Sequence, residues 1–290
     1  MAEVRGVITA MATPFHEDGG LDEAGVRRLA RYLVDNGSHG LVLAGTTGEA
    51  PTLSDDEKLT VYRAVRDELG DEATLILGTG SNDTIHTVEL TKLAAEAGAD
   101  AAIVVTPYYN KPNRAGLIAH YSAVAEVGIP IVLYNIPSRT ALNIAPELLS
   151  ELGRIPNIAA VKQANDDELG PIDGLDVLAG NDNVFCRTLE FGGVGGVLVA
   201  SHLAGPRMRE MWDAAQDGDL ERAREIDAEL QPIYEAMAVT ANPIPVKAAL
   251  QMLGVIDTDA LRLPMVAADD EQRAAIRPAL ERAGILAAAG

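Results

Sequence analysis

Eight short apolar runs recur along the chain, each followed by a polar loop. They begin near Gly6 (GVITAM), Gly40 (GLVLAG), Thr74 (TLILGTG), Ala101 (AAIVVTP), Pro130 (PIVLYN), Ile158 (IAAVKQ), Asp176 (DVLAG) and Gly196 (GVLVAS). The runs are mostly apolar, often β-branched, and do not alternate with polar residues. That pattern predicts strands buried on both faces, as in a parallel sheet. The segments between them read as helices. Ser54-Asp55-Asp56-Glu57 forms a capping box with acidic residues at the positive end of the helix dipole. Leu59, Tyr62, Val65 and Leu69 follow at helical spacing, and Gly70 is the stop. Asp83 opens another helix, with Ile85, Val88, Leu90 and Leu93 inside it and Gly98 as the stop. Leu117 to Val127 and Pro146 to Leu152 continue the series.

Strand starts are separated by 34, 34, 27, 29, 28, 18 and 20 residues. Eight strands alternating with helices predict an α/β chain folded as a (β/α)8 (TIM) barrel over residues 1–222. A C-terminal helical region, 223–290, follows as an appendage. Helices are expected over Leu220 to Val239, Pro243 to Leu253 and Asp270 to Ala283. A doubly wound sheet is the alternative, but the first strand–helix turn, MATPFHEDGG, lacks the G-x-G-x-x-G of a dinucleotide site.

Composition narrows the function. The net charge is −20 over 290 residues, which argues against nucleic acid as a partner. No stretch of about 18 apolar residues free of charge occurs, so no membrane span is expected. Met1 to Ala10 carries Glu3 and Arg5 and has no hydrophobic signal core, which points to a cytoplasmic protein. The single cysteine, Cys186, reads as a small core residue. His16, His39, His86, His120 and His202 are scattered, without an H-E-x-x-H or Cys/His cluster, so no metal is expected.

In such a barrel the reacting groups lie at the C-terminal ends of the strands. Those ends read Gly45-Thr46-Thr47-Gly48-Glu49, Gly78-Thr79-Gly80, Thr106-Pro107-Tyr108-Tyr109-Asn110, Tyr134 to Arg139, Lys162, and Gly180-Asn181-Asp182. Of five lysines, Lys58 sits early in a capped helix, Lys92 in a helix interior, Lys111 in a polar loop and Lys247 in the helical PIPVKAAL. Only Lys162 ends a buried strand. Desolvation there disfavours the ammonium form, and a neutral amine can form an imine with a ketone or aldehyde. The bland reading is a lysine snorkelling from the barrel or paired with a carboxylate. Tyr134 is either a packed tyrosine or, beside such a lysine, a proton shuttle. Thr46 and Thr47 are either turn residues between glycines or ligands of a carboxylate. Arg139 is either a solvated loop cation or a bidentate partner for a substrate carboxylate.

GTTGEAPTL, TPYYNKP, YNIPSRT, the strand-end Lys162 and NPIPVKAAL together resemble the 4-hydroxy-tetrahydrodipicolinate (dihydrodipicolinate) synthases, over about Gly6 to Leu286. The resemblance implies a homotetrameric class I aldolase, a dimer of dimers, without cofactor. It implies that pyruvate and L-aspartate 4-semialdehyde are condensed in lysine and diaminopimelate biosynthesis. Carried over residue by residue, Lys162 forms the Schiff base and Tyr134 moves protons. Thr46 and Tyr109 act as relays, Tyr109 in the neighbouring subunit. Thr47 binds the pyruvate carboxylate, with Val197 near it, Arg139 binds the semialdehyde carboxylate, and Gly180 lines the site. Two departures stand out: Gln163 replaces a usual acid, and His202 replaces a commoner Asn. The family's L-lysine effector site corresponds to Asn82, Tyr108, Asp55, Lys58 and His86. The usual glutamate is lost and Lys58 is added, so weak inhibition is expected. Competing readings are a pyruvate-dependent sugar-acid lyase, of the N-acetylneuraminate or 2-keto-3-deoxygluconate type, and a barrel that binds ligands without catalysis.

Overall fold

The structure, a computed structural model, describes residues 4–286. Residues 1–3 and 287–290, the outer ends of the expected barrel and C-terminal segments, lie outside it. The strands are β1 (Gly6–Ala10), β2 (Gly40–Leu43), β3 (Thr74–Gly78), β4 (Ala101–Val105), β5 (Ile131–Asn135), β6 (Ile158–Gln163), β7 (Asp176–Ala179) and β8 (Gly195–Leu198). They pair in parallel in chain order, and β8 returns to β1, closing a (β/α)8 barrel. Every expected strand is present within a residue of its predicted start.

Side chains alternate between two apolar environments, which is why the runs lack polar positions. Ile8, Val42, Ile76, Val132 and Leu178 fill the barrel interior. Val7, Leu41, Leu75, Leu133 and Val177 point outward against the helices. Fully burying each such side chain contributes roughly 1.5–3 kcal/mol.

The helices are α1 (Glu23–Asp35), α2 (Asp55–Leu69), α3 (Thr84–Glu96), α4 (Arg114–Ala125), the single turn α5 (Pro137–Thr140), α6 (Pro146–Leu152), α7 (Phe185–Glu190) and α8 (Ser201–Gln216). The predicted caps form: Ser54 Oγ accepts from the Glu57 N–H at 3.2 Å, and Glu57 Oε2 accepts from the Ser54 N–H at 2.9 Å. Between β6 and β7 stands only a 3-10 turn, Asp166–Glu168, which accounts for the short spacing of those strands. The apolar residues expected within α3 all lie in it, but they do not share one buried face. Leu90 is buried, but Ile85 is 71% and Leu93 41% exposed within the single chain. The small side chains Thr87, Thr91 and Ala94 pack inward instead.

Three further helices, α9 (Leu220–Met237), α10 (Ile244–Met252) and α11 (Asp270–Arg282), form the C-terminal helical region. The expected boundary at 222/223 falls inside α9, which packs along α8 and reaches α7. None of the described helices is long and apolar enough to cross a membrane.

Candidate active site

A cleft of about 360 Å³ opens at the C-terminal ends of the strands. It brings together Thr46, Thr47, Tyr134, Arg139, Lys162 and Gly180, residues drawn from four different strand ends and the turn after β5. Lys162 is 6% exposed at the end of β6, opposite Tyr134 in the β5–β6 register. Its Nζ lies 4.2 Å from the centre of the Tyr134 ring, in cation–π range. Strand alternation separates Lys162 from Gln163. Gln163 faces outward, fully buried, where its Oε1 accepts from Asn135 Nδ2 at 2.9 Å and the Asn165 N–H at 3.1 Å. The residue that departs from the family pattern therefore sits on the other face of the strand from the amine. Gly180 is required by space: a Cβ there would stand 2.6 Å from the Gln163 carbonyl and from Ala164 Cβ.

The turn after β2 is held from beneath. Glu49 adopts φ +58°, a strained value for a side-chain-bearing residue, and is buried. Its Oε1 accepts from Lys247 Nζ at 2.8 Å, and its Oε2 from the Arg262 N–H at 3.1 Å. Lys247 also donates to the Thr13 carbonyl at 2.9 Å. Burial pulls Lys247 below the usual lysine range, against the opposing pull of Glu49. This second buried lysine, expected as an ordinary helical residue, is a brace. Thr47 itself accepts from Asn242 Nδ2 at 2.9 Å, and Arg139 Nη2 donates to the Asn242 carbonyl at 3.1 Å.

Asp182, just past β7, closes the far wall. Its Oδ1 accepts from the N–H groups of Val199 and Ala200 at 2.9 and 3.0 Å, fixing the end of β8. Burial raises its pKa, while those N–H groups and the charge of Lys162 oppose the rise. His202 ties β8 to β1: Nδ1 donates to the Val199 carbonyl at 2.8 Å and Nε2 accepts from the Ala12 N–H at 3.1 Å. Burial pulls its pKa down to about 4, so it works as a neutral imidazole.

The other seven sequence candidates, Val197, Tyr109, Asn82, Tyr108, Asp55, Lys58 and His86, lie apart from this cleft. Val197 is inside the barrel, 1% exposed, and Val199 lines the cleft in that region. Tyr109 stands outside, 89% exposed and held at φ +73°. Asn110 Nδ2 donates to the Asn82 carbonyl at 2.8 Å, anchoring the Tyr108-Tyr109 loop at the start of α3. Asp55 is engaged on both oxygens, by Lys58 Nζ at 3.1 Å and His86 Nε2 at 2.7 Å. Burial would raise the Asp55 pKa, but the His86 and Lys58 hydrogen bonds outweigh it and hold it low. The sequence reading missed Asn242 as a site residue. Its only local signal is its place in the NPIP segment that carried the resemblance.

A closed (β/α)8 barrel with a buried strand-end lysine against a tyrosine defines a Schiff-base-forming lyase of the class I aldolase type. The model of the Dihydrodipicolinate synthetase family matches residues 3–283. The chain is 44% identical over 289 residues to the 4-hydroxy-tetrahydrodipicolinate synthase of Moorella thermoacetica, covering 97% of this chain and 98% of that one. It superimposes on the chloride-inhibited dihydrodipicolinate synthase of Acinetobacter baumannii complexed with pyruvate, with TM-score 0.94 and 35% identity over 98% of this chain and 100% of the other. The DHDPS of Cyanidioschyzon merolae with lysine bound gives TM-score 0.92 and 37% identity over 97% and 99%. The chain belongs to the dihydrodipicolinate synthetase family.

Proposed function

We propose that this cleft carries out the 4-hydroxy-tetrahydrodipicolinate synthase reaction, condensing pyruvate with L-aspartate 4-semialdehyde through an imine on Lys162. The observation that carries this reading is the convergence of Lys162, Tyr134, Thr47 and Arg139 on one cleft. The Lys162 amine adds to the pyruvate ketone, and loss of water leaves a protonated imine. That imine takes up the electron pair when the methyl group loses a proton, giving an enamine. The enamine carbon adds to the semialdehyde carbonyl. The amino group of the second substrate then attacks the imine carbon, closes the ring and releases the Lys162 amine. The protonated imine does the polarising, so the scheme needs no metal or cofactor.

Tyr134, packed beside the amine, moves the protons, with Thr46 and Tyr109 as relay partners. Thr47 binds the pyruvate carboxylate, and the Arg139 guanidinium takes the carboxylate of the semialdehyde. Tyr109 reaches the cleft of a neighbouring subunit rather than its own. Its exposure and strained backbone, with the exposed Ile85 and Leu93 of α3, support a contact between subunits on this side of the barrel, and the assembly we propose is a homotetramer, a dimer of dimers. The reaction serves lysine and diaminopimelate biosynthesis, a cytoplasmic task. Borohydride reduction with pyruvate tests the assignment. One three-carbon adduct per chain on Lys162 is expected, insensitive to EDTA. A label on Lys247, or none, refutes it.

A further inference from the structure

Asn242 holds both sides of the cleft from outside the barrel. Its side chain reaches Thr47, 195 positions away in sequence, and its backbone carbonyl holds Arg139. The direction of the first hydrogen bond matters. An amide nitrogen has only protons to offer, so Asn242 Nδ2 occupies a lone pair of Thr47 Oγ1 and leaves the hydroxyl proton free. A carboxylate can only accept. A hydroxyl whose proton is kept away from the protein is therefore a donor ready for it. The reverse amide placement would bury two N–H donors where the partnerless Asn242 Oδ1 now lies, and would draw the Thr47 proton toward residue 242.

The geometry points to Asn242 as a positioning residue that turns the Thr47 proton toward the pyruvate carboxylate. This rests on the assignment of Thr47 to that carboxylate. Asn242 belongs to the C-terminal helical region, so that region completes the first-substrate pocket. The Lys247–Glu49 pair, from α10 to the same turn, keeps the two surfaces in register.

The test is the isosteric Asn242→Asp, read by borohydride trapping of the pyruvate adduct across a pyruvate series. An ionised aspartate accepts the Thr47 proton and reverses the hydroxyl; a protonated one donates as the amide does. Half-saturating pyruvate should rise about tenfold or more at about pH 8, and the deficit relative to the parent should shrink as pH falls toward about 4, the ordinary aspartate range. Tyr134, Arg139, Lys162, Asp182, Tyr234 and Glu235, the other titratable groups around the cleft, are common to both proteins, and so are Glu49 and Lys247 beneath it. Their titration cancels in the ratio.

A second measurement covers a variant that does not fold. Asn242→Ala should weaken trapping several-fold in the parent and add almost nothing to Thr47→Val. Trapping by Asn242→Asp equal to the parent at the higher pH overturns the proposal, as does a deficit that ignores pH or substitutions that multiply independently. If the parent itself traps no pyruvate on Lys162, the assignment of the reaction fails and takes this proposal with it. If the parent traps normally and only the pH signature is missing, the reaction stands and the role of Asn242 falls alone.

Discussion

Replacing Glu49 by Gln removes the negative partner of a lysine with no access to water. Lys247 and Glu49 have side chains 0% and 1% exposed, with Nζ and Oε1 2.8 Å apart. At that separation the attraction is about 6 kcal/mol for an effective dielectric of ~20. Most of it offsets the cost of taking both ions out of water, so the pair itself is worth little net. Breaking it is another matter, because one buried charge is left without compensation. Glu49→Gln or Lys247→Met should each cost about 3–5 kcal/mol, whereas the two together should cost far less than their sum. For a chain of this size, each kcal/mol lowers Tm by about 2 °C, so each single variant should melt roughly 6–10 °C early.

The pH dependence gives a second check. Burial already holds Lys247 below the usual lysine range against the pull of Glu49. With the glutamate gone, burial and the nearby Arg262 charge are opposed only by the weaker pull of Asp259, and the folded pKa falls further. The unfolded lysine then binds a proton that the folded one does not, so stability rises with pH. The deficit of Glu49→Gln should be largest near neutrality and shrink toward pH 10, the ordinary lysine range. Urea unfolding of the four proteins of the cycle at two pH values measures both effects. Additive single substitutions, or a Glu49→Gln deficit that grows with pH, would show that the pair is not the brace described.

Arg139→Ala should leave pyruvate trapping on Lys162 intact while use of the semialdehyde drops; losing a charge-assisted contact costs about 1.5–3 kcal/mol, a fall in kcat/KM of about 10- to 150-fold. Equal loss of both steps would contradict its role. His202, held neutral with a pKa of about 4 against 6.5 for the free group, contributes stability that is full above about pH 6.5 and lost as pH falls toward 4. His202→Asn should flatten acid unfolding in that window by up to about 3 kcal/mol, leaving the slope from His120, also held near 4 by burial. A parent and variant with the same acid midpoint would rule that out. L-lysine at millimolar concentration should barely slow the initial rate, because both oxygens of Asp55 are already taken and Lys58 adds a like charge. Strong inhibition below millimolar would mean that Asp55 is released from those partners.

The eight strands were legible because burial on both faces leaves no polar positions in a run, and a local pattern records that directly. The helix from Asp55 to Leu69 was legible for a similar reason: its capping box and its glycine stop act within four residues of each end. Lys162 was legible because a charge closing an apolar run is a local anomaly, and its cleft neighbours because each follows a strand. What sequence could not disclose depends on where distant segments meet. Lys247 and Glu49 are 198 positions apart, and Asn242 and Thr47 are 195 apart. Read locally, Lys247 is one more helical lysine and Asn242 one more residue before a proline. They become a brace and a positioning group only when the C-terminal region folds back onto the β2 turn. The same holds for Gln163, which strand alternation points away from Lys162, and for Ile85 and Leu93, apolar at helical spacing yet facing out of the single chain. Periodicity tells which residues share a face; the packing of the whole chain decides what that face meets.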